Sequence, residues 1–106
     1  MAEQPTISTH VLDAEHGSPL AGVVVTLARL DSGGVVAAGA GRTDDDGRIQ
    51  RLLDGQLRAG SYRLEFRLGG RFFETVAITF HVGDTSRSYH VPLLLAPYSL
   101  TTYRGS

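Results

Sequence analysis

Gly, Pro and Asp interrupt this chain at short intervals. Between the interruptions the residues alternate apolar and polar or are rich in β-branched side chains. The stretch Phe72 to Val82 shows the pattern most cleanly: Val76, Ile78, Phe80 and Val82 face one way, and Thr75, Thr79 and His81 the other. A period of two belongs to half-buried strands, and no three-turn helix stripe is visible, so the chain reads as all-β.

Strands are expected at Thr6 to Asp13, Val23 to Leu30, Val35 to Thr43, Arg48 to Leu53, Gly60 to Leu68, Phe72 to Val82 and Arg87 to Leu95, with an eighth over Tyr98 to Arg104. Asp46-Gly47 is a strong hairpin signal because both positions tolerate positive φ. Gly17 and Pro19 are expected to stop any ladder in the turn after the first strand. Seven to eight short strands with this spacing predict a two-sheet β-sandwich. The 106 residues suffice for one core and are too few for two, so a single domain over 1–106 is expected, with residues 1–5 disordered.

Composition narrows function. A formal net charge of -1 supplies no electrostatic reason to bind nucleic acid or an anionic membrane. The absence of Cys excludes disulfides, thiolate catalysis and Cys-based zinc sites; all ten basic residues are Arg, so no lysine is available for Schiff-base chemistry. The first residues carry neither a basic start nor an apolar h-region, and no apolar run approaches the roughly 18 residues of a membrane span. A cytoplasmic location is expected.

The histidines are the chemically informative residues. In the seventh strand Tyr89, Val91, Leu93 and Leu95 share one face, while His90, Pro92 and Leu94 share the other. Pro92 and Leu94 make that second face apolar, which predicts burial on both sides and a partner subunit over His90. A half-buried histidine with a structural hydrogen bond is the competing reading. In the first strand Ser8, His10 and Leu12 oppose Ile7, Thr9 and Val11, so His10 poses the same choice. Two mid-strand imidazoles, each with an ordinary pKa of about 6.5, are suited to activating water. His16 in a turn and His81 on a polar face are expected to be solvated, and no histidine pair has metal-ligand spacing. The run Thr43 to Gly47 lacks the alternation and distal Glu of a calcium loop and reads as a solvated turn.

The segment SYHVPLLLAPYSLTTYRGS (Ser88 to Ser106) resembles the C-terminal signature of the transthyretin-related 5-hydroxyisourate hydrolases, including their terminal Tyr-Arg-Gly-Ser. ISTHVLDAEHGSPLAGVVVTL is similar to their opening strand and turn, and TDDDGRI to their central turn. The resemblance implies a transthyretin-like sandwich that opens the ring of 5-hydroxyisourate, a small-molecule substrate, without a cofactor or metal. It implies catalytic roles for His10, Arg48, His90 and Ser106, and substrate contacts from Tyr103, Arg104 and Gly105. It further implies a homotetramer, a dimer of dimers joined by edge strands and then by apposed sheets. Transthyretin itself, a carrier of the same fold, lacks the catalytic histidines and this ending. One departure is legible: Gly69-Gly70 turns directly where the family inserts a short helix between the fifth and sixth strands. Two alternatives follow, a paralogue acting on a different cyclic amide, imide or lactone, and a non-catalytic small-molecule binding protein.

Overall fold

The alternation produces two sheets that face each other across one apolar layer. A computed structural model describes residues 4–105; Met1 to Glu3 and Ser106 lie outside the described residues. The strands are β1 (Ile7–Asp13), β2 (Ser18–Pro19), β3 (Val24–Asp31), β4 (Gly34–Arg42), β5 (Arg48–Ile49), β6 (Gly60–Arg67), β7 (Thr75–Val82), β8 (Tyr89–His90), β9 (Leu93–Leu95) and β10 (Leu100–Thr102). No helix occurs among the described residues, so none is long and apolar enough to cross a membrane.

One sheet has the order β4-β3-β6-β7, antiparallel throughout, with a register shift in β4 between the partners of Leu27 and Ala28. The other is organised around β1. One edge of β1 runs parallel to β8 and β9, with Ile7 opposite Tyr89 and Val11 opposite Leu93. Its other edge pairs antiparallel with β5 and β2, and β10 pairs with β9. Inward faces close the core: Ile7, Val11, Val25, Leu64, Phe66, Val82 and Leu93 are fully buried. This is the two-sheet sandwich predicted from the alternation, and Val76, Ile78 and Phe80 pack inward against the core as expected.

Five expectations need correction. Pro19 does not stop the ladder. It sits opposite Leu12 in the outermost strand, where a missing N–H costs nothing, and Leu20 N then donates to the Val11 carbonyl at 3.0 Å. The fourth strand ends after Ile49, because the next residues cross between the sheets: Leu52 N donates to Ile7 O at 2.9 Å and Asp54 N to Ala38 O at 2.8 Å. The seventh strand breaks at Val91-Pro92, since Pro92 has no N–H; the buried Thr9 hydroxyl binds the Val91 carbonyl there at 2.7 Å. Pro92 is buried within the single chain, so its apolar character does not require a partner subunit; Leu94 stays partly exposed. The sixth strand begins at Thr75, after a connection in which Leu68 N donates to Glu74 O at 2.9 Å. That connection contains no helix, as its Gly69-Gly70 turn predicts.

The turn before β5 is tied from inside and outside. Asp44 Oδ1 accepts from the N–H groups of Asp46 and Arg48, each at 2.9 Å, and Gly47 O accepts from Val11 N at 2.7 Å. Gly47 has φ 75°, and a Cβ there would strike the Val11 carbonyl oxygen. Gly47→Ala is therefore expected to lower stability by about 2 kcal/mol, combining left-handed strain with a backbone clash. Urea denaturation would check it, and an unchanged midpoint would contradict the tight packing of this turn.

Candidate active site

The outer face of the β1 sheet collects polar side chains that lie far apart in sequence. Ile7, Thr9 and Val11 point into the core, which leaves Ser8 and His10 outward on the same strand. His90 is the parallel partner of Ser8, and Arg48 is the antiparallel partner of His10. Directly opposed residues in a sheet have Cβ atoms about 5 Å apart and share a face. Register alone thus gathers His10, Arg48 and His90 around Ser8.

The two imidazoles are held differently. His10 Nε2 lies 2.8 Å from the Asp46 carbonyl oxygen. A carbonyl only accepts, so Nε2 carries the proton, and in the neutral ring the lone pair sits on Nδ1. His90 Nδ1 lies 2.8 Å from the Ser8 hydroxyl. Among the described residues its Nε2 has no hydrogen-bond partner, and no direct bond joins the two histidines. Burial holds the His90 pKa below its ordinary 6.5, and the charges of Arg48 and His10 push it the same way. His90 is therefore a neutral base at neutral pH. Arg48 is exposed and forms no ion pair among the described residues, so its guanidinium is available to an incoming anion.

The end of the chain runs back along β9 and β8. Gly105 N donates to the His90 carbonyl at 2.8 Å, and a Cβ on Gly105 would come within 2.6 Å of His90 Cδ2. Gly105 thus packs against the catalytic candidate itself. Arg104 lies elsewhere, its guanidinium 4.8 Å above the Tyr89 ring. With Tyr103 it borders a cleft of about 240 Å³ that also includes Phe80, Tyr89 and Val91, whose side chains belong to the core side of the sheets. Ser106 lies outside the described residues. A larger cleft of about 690 Å³, near Phe72, Phe73 and Tyr98, contains none of His10, Arg48 or His90. His10, Arg48 and His90 converge instead on the outer face of the β1 sheet, which is open in the single chain.

The remaining histidines are outside this cluster. His16 is exposed, as expected, yet paired to Asp13 at 2.8 Å, which raises its pKa and lowers that of the carboxylate. His81 is exposed on β7. Ser8 is the site residue that sequence reasoning left without a role. Its spacing two before His10 placed it on the right face, but only the pairing with β8 sets it against His90.

Known proteins share this architecture. A relative described as 5-hydroxyisourate hydrolase from Deinococcus radiodurans is 39% identical, with the alignment covering all of both chains. The solved 5-hydroxyisourate hydrolase of Klebsiella pneumoniae matches with a TM-score of 0.82 and 36% identity over 95% of this chain and 99% of that one. Sea bream transthyretin, solved with thyroxine, matches with a TM-score of 0.85 and 29% identity over 93% of each chain. The HIUase/Transthyretin family model spans residues 7–105, taking in the sandwich and the His10, Arg48 and His90 positions together, and the chain belongs to that family.

Proposed function

We propose that this protein hydrolyses 5-hydroxyisourate in urate degradation, using the outer face of the β1 sheet. The observation that carries the reading is the convergence of His10, Arg48 and His90 on one face, with His90 kept neutral. Hydrolases among the relatives support the substrate.

Water is too weak a nucleophile to attack an amide-like carbonyl at neutral pH without a base. Nε2 of His90 takes a proton from water as the oxygen bonds to the ring carbonyl carbon. The carbonyl π electrons move onto oxygen, and the planar guanidinium of Arg48 stabilises the resulting oxyanion. Collapse of the tetrahedral intermediate breaks the ring C–N bond, and the proton held on His90 passes to the leaving nitrogen. His10, with its lone pair on Nδ1, orients the water. Ser106 serves as a further water- or substrate-orienting group, while Tyr103 borders the cleft beside Tyr89 rather than the histidine face. Arg104 and Gly105 act by securing the terminal segment beside Tyr89 and His90. None of these steps calls on a cofactor or metal.

The histidine face is half open in the single chain, and a second copy laid over it would turn a surface into a channel. A cytoplasmic homotetramer, paired through edge strands and closed by apposed β1 sheets, completes this reading. Sedimentation at micromolar concentration is expected to show the tetramer; monomer alone would remove the channel.

The protein is expected to speed the decay of 5-hydroxyisourate absorbance when urate and urate oxidase generate the compound in the cuvette. Loss of the Arg48 donor should cost about 10²–10³ in kcat, and His90→Ala or His10→Ala about 10²–10⁴, each with the fold intact by circular dichroism. No acceleration by the unmodified protein would sink the assignment, and binding without turnover would move the protein to the carriers. Full activity in one variant would remove that residue from the mechanism.

The pH dependence has a definite sign. A base works while unprotonated, and the His90 pKa is depressed below 6.5, so the acid limb of the rate profile is expected below pH 6.5. In Arg48→Gln the opposing cation is gone, and NMR titration should find the His90 midpoint raised. An unmoved midpoint would show that Arg48 does not act on this ring.

A further inference from the structure

Ser8 joins β1 to His90 through a hydrogen bond that the mechanism above leaves unused. Its Oγ lies 2.8 Å from His90 Nδ1, both residues are partly buried, and they are direct cross-strand partners. The Cδ2 edge of the same ring abuts Gly105, where a Cβ would approach to 2.6 Å. The imidazole is thus held at Nδ1 by a hydroxyl and along one edge by main chain. The charged and titratable groups acting on it are His10 from β1 and Arg48 from β5; on the terminal segment Arg104 sits at Tyr89 instead.

We propose that Ser8 is a positioning residue that accepts the Nδ1–H of His90 and so keeps the lone pair on Nε2, the nitrogen that takes the proton from water. The proposal rests on the ring-opening reading of this site. A hydroxyl suits the role because it accepts from Nδ1–H both in the neutral ring and in the imidazolium, so this bond needs no rearrangement as the proton arrives and leaves. A carboxylate at the same place would favour the cation and hold the proton on the ring. The opposite polarity, with Ser8 donating to Nδ1, would put the proton on Nε2 and leave His90 unable to act as base there.

Kinetics and ¹⁵N spectra of the histidine rings test this together. In the unmodified protein, His90 is expected to show a protonated Nδ1 and an unprotonated Nε2. Ser8→Ala should shift the tautomer balance and lower kcat about 10- to 100-fold, as loss of an orienting partner does elsewhere, while KM changes little. Ser8→Thr restores the hydroxyl and should restore most of the rate. Absence of turnover by the unmodified protein overturns the ring-opening reading and the role of Ser8 with it. Turnover with an unchanged kcat in Ser8→Ala, or a proton found on Nε2 in the unmodified protein, overturns the role of Ser8 alone. The spectrum of the unmodified protein decides the tautomer even where Ser8→Ala does not fold.

Discussion

Two-sided pairing of β1 in one register is the constraint on which everything else depends. Its parallel edge sets Ser8 against His90, and its antiparallel edge sets His10 against Arg48. A slip of one residue on either edge would turn the corresponding side chains from the outer face to the core. The register is pinned by groups that cannot be left unsatisfied: Tyr89 N to Thr6 O, Val91 N to Ser8 O, and the buried Thr9 hydroxyl to Val91 O. The packing that stabilises the sandwich and the geometry that orders the site are the same set of bonds.

The proposed chemistry follows from where this face stands between solvent and core. His90 is buried enough for its cationic form to be disfavoured, and Arg48 opposes that form further. A base that will not keep a proton, beside a permanent cation that stabilises an oxyanion, is suited to water attack on a carbonyl. Sea bream transthyretin has the same architecture and was solved with thyroxine, so the sandwich is compatible with different uses. Fold alone does not decide between them.

Much of the fold was legible because local sequence and tertiary demand agree. The alternation over β7, the Asp46-Gly47 turn and the direct Gly69-Gly70 connection all stand where the pattern put them. Two of the misreadings come from an apolar or β-branched run that is not one continuous strand. Arg48 to Leu53 looks like a strand, yet after Ile49 its backbone bonds to both sheets in turn. Pro92 reads as a residue inside a strand, yet it divides β8 from β9. Pro19 reads as a stop, yet it fits an edge. In each case the answer depends on which neighbour needs the N–H, and a single segment does not contain that information.

The sequence alone determined the fold class, the turn before Arg48 (though not a hairpin, since the β4 and β5 strands that flank it lie in different sheets), and the side of its strand on which each of Ser8, His10 and His90 lies. It did so because a period of two is a property of local backbone geometry. Tertiary structure alone decided that these side chains meet, that His10 Nε2–H donates a hydrogen bond to Asp46 O, and that Gly105 rests against the His90 ring. Those contacts join residues dozens of positions apart, and only strand pairing and register bring them within reach.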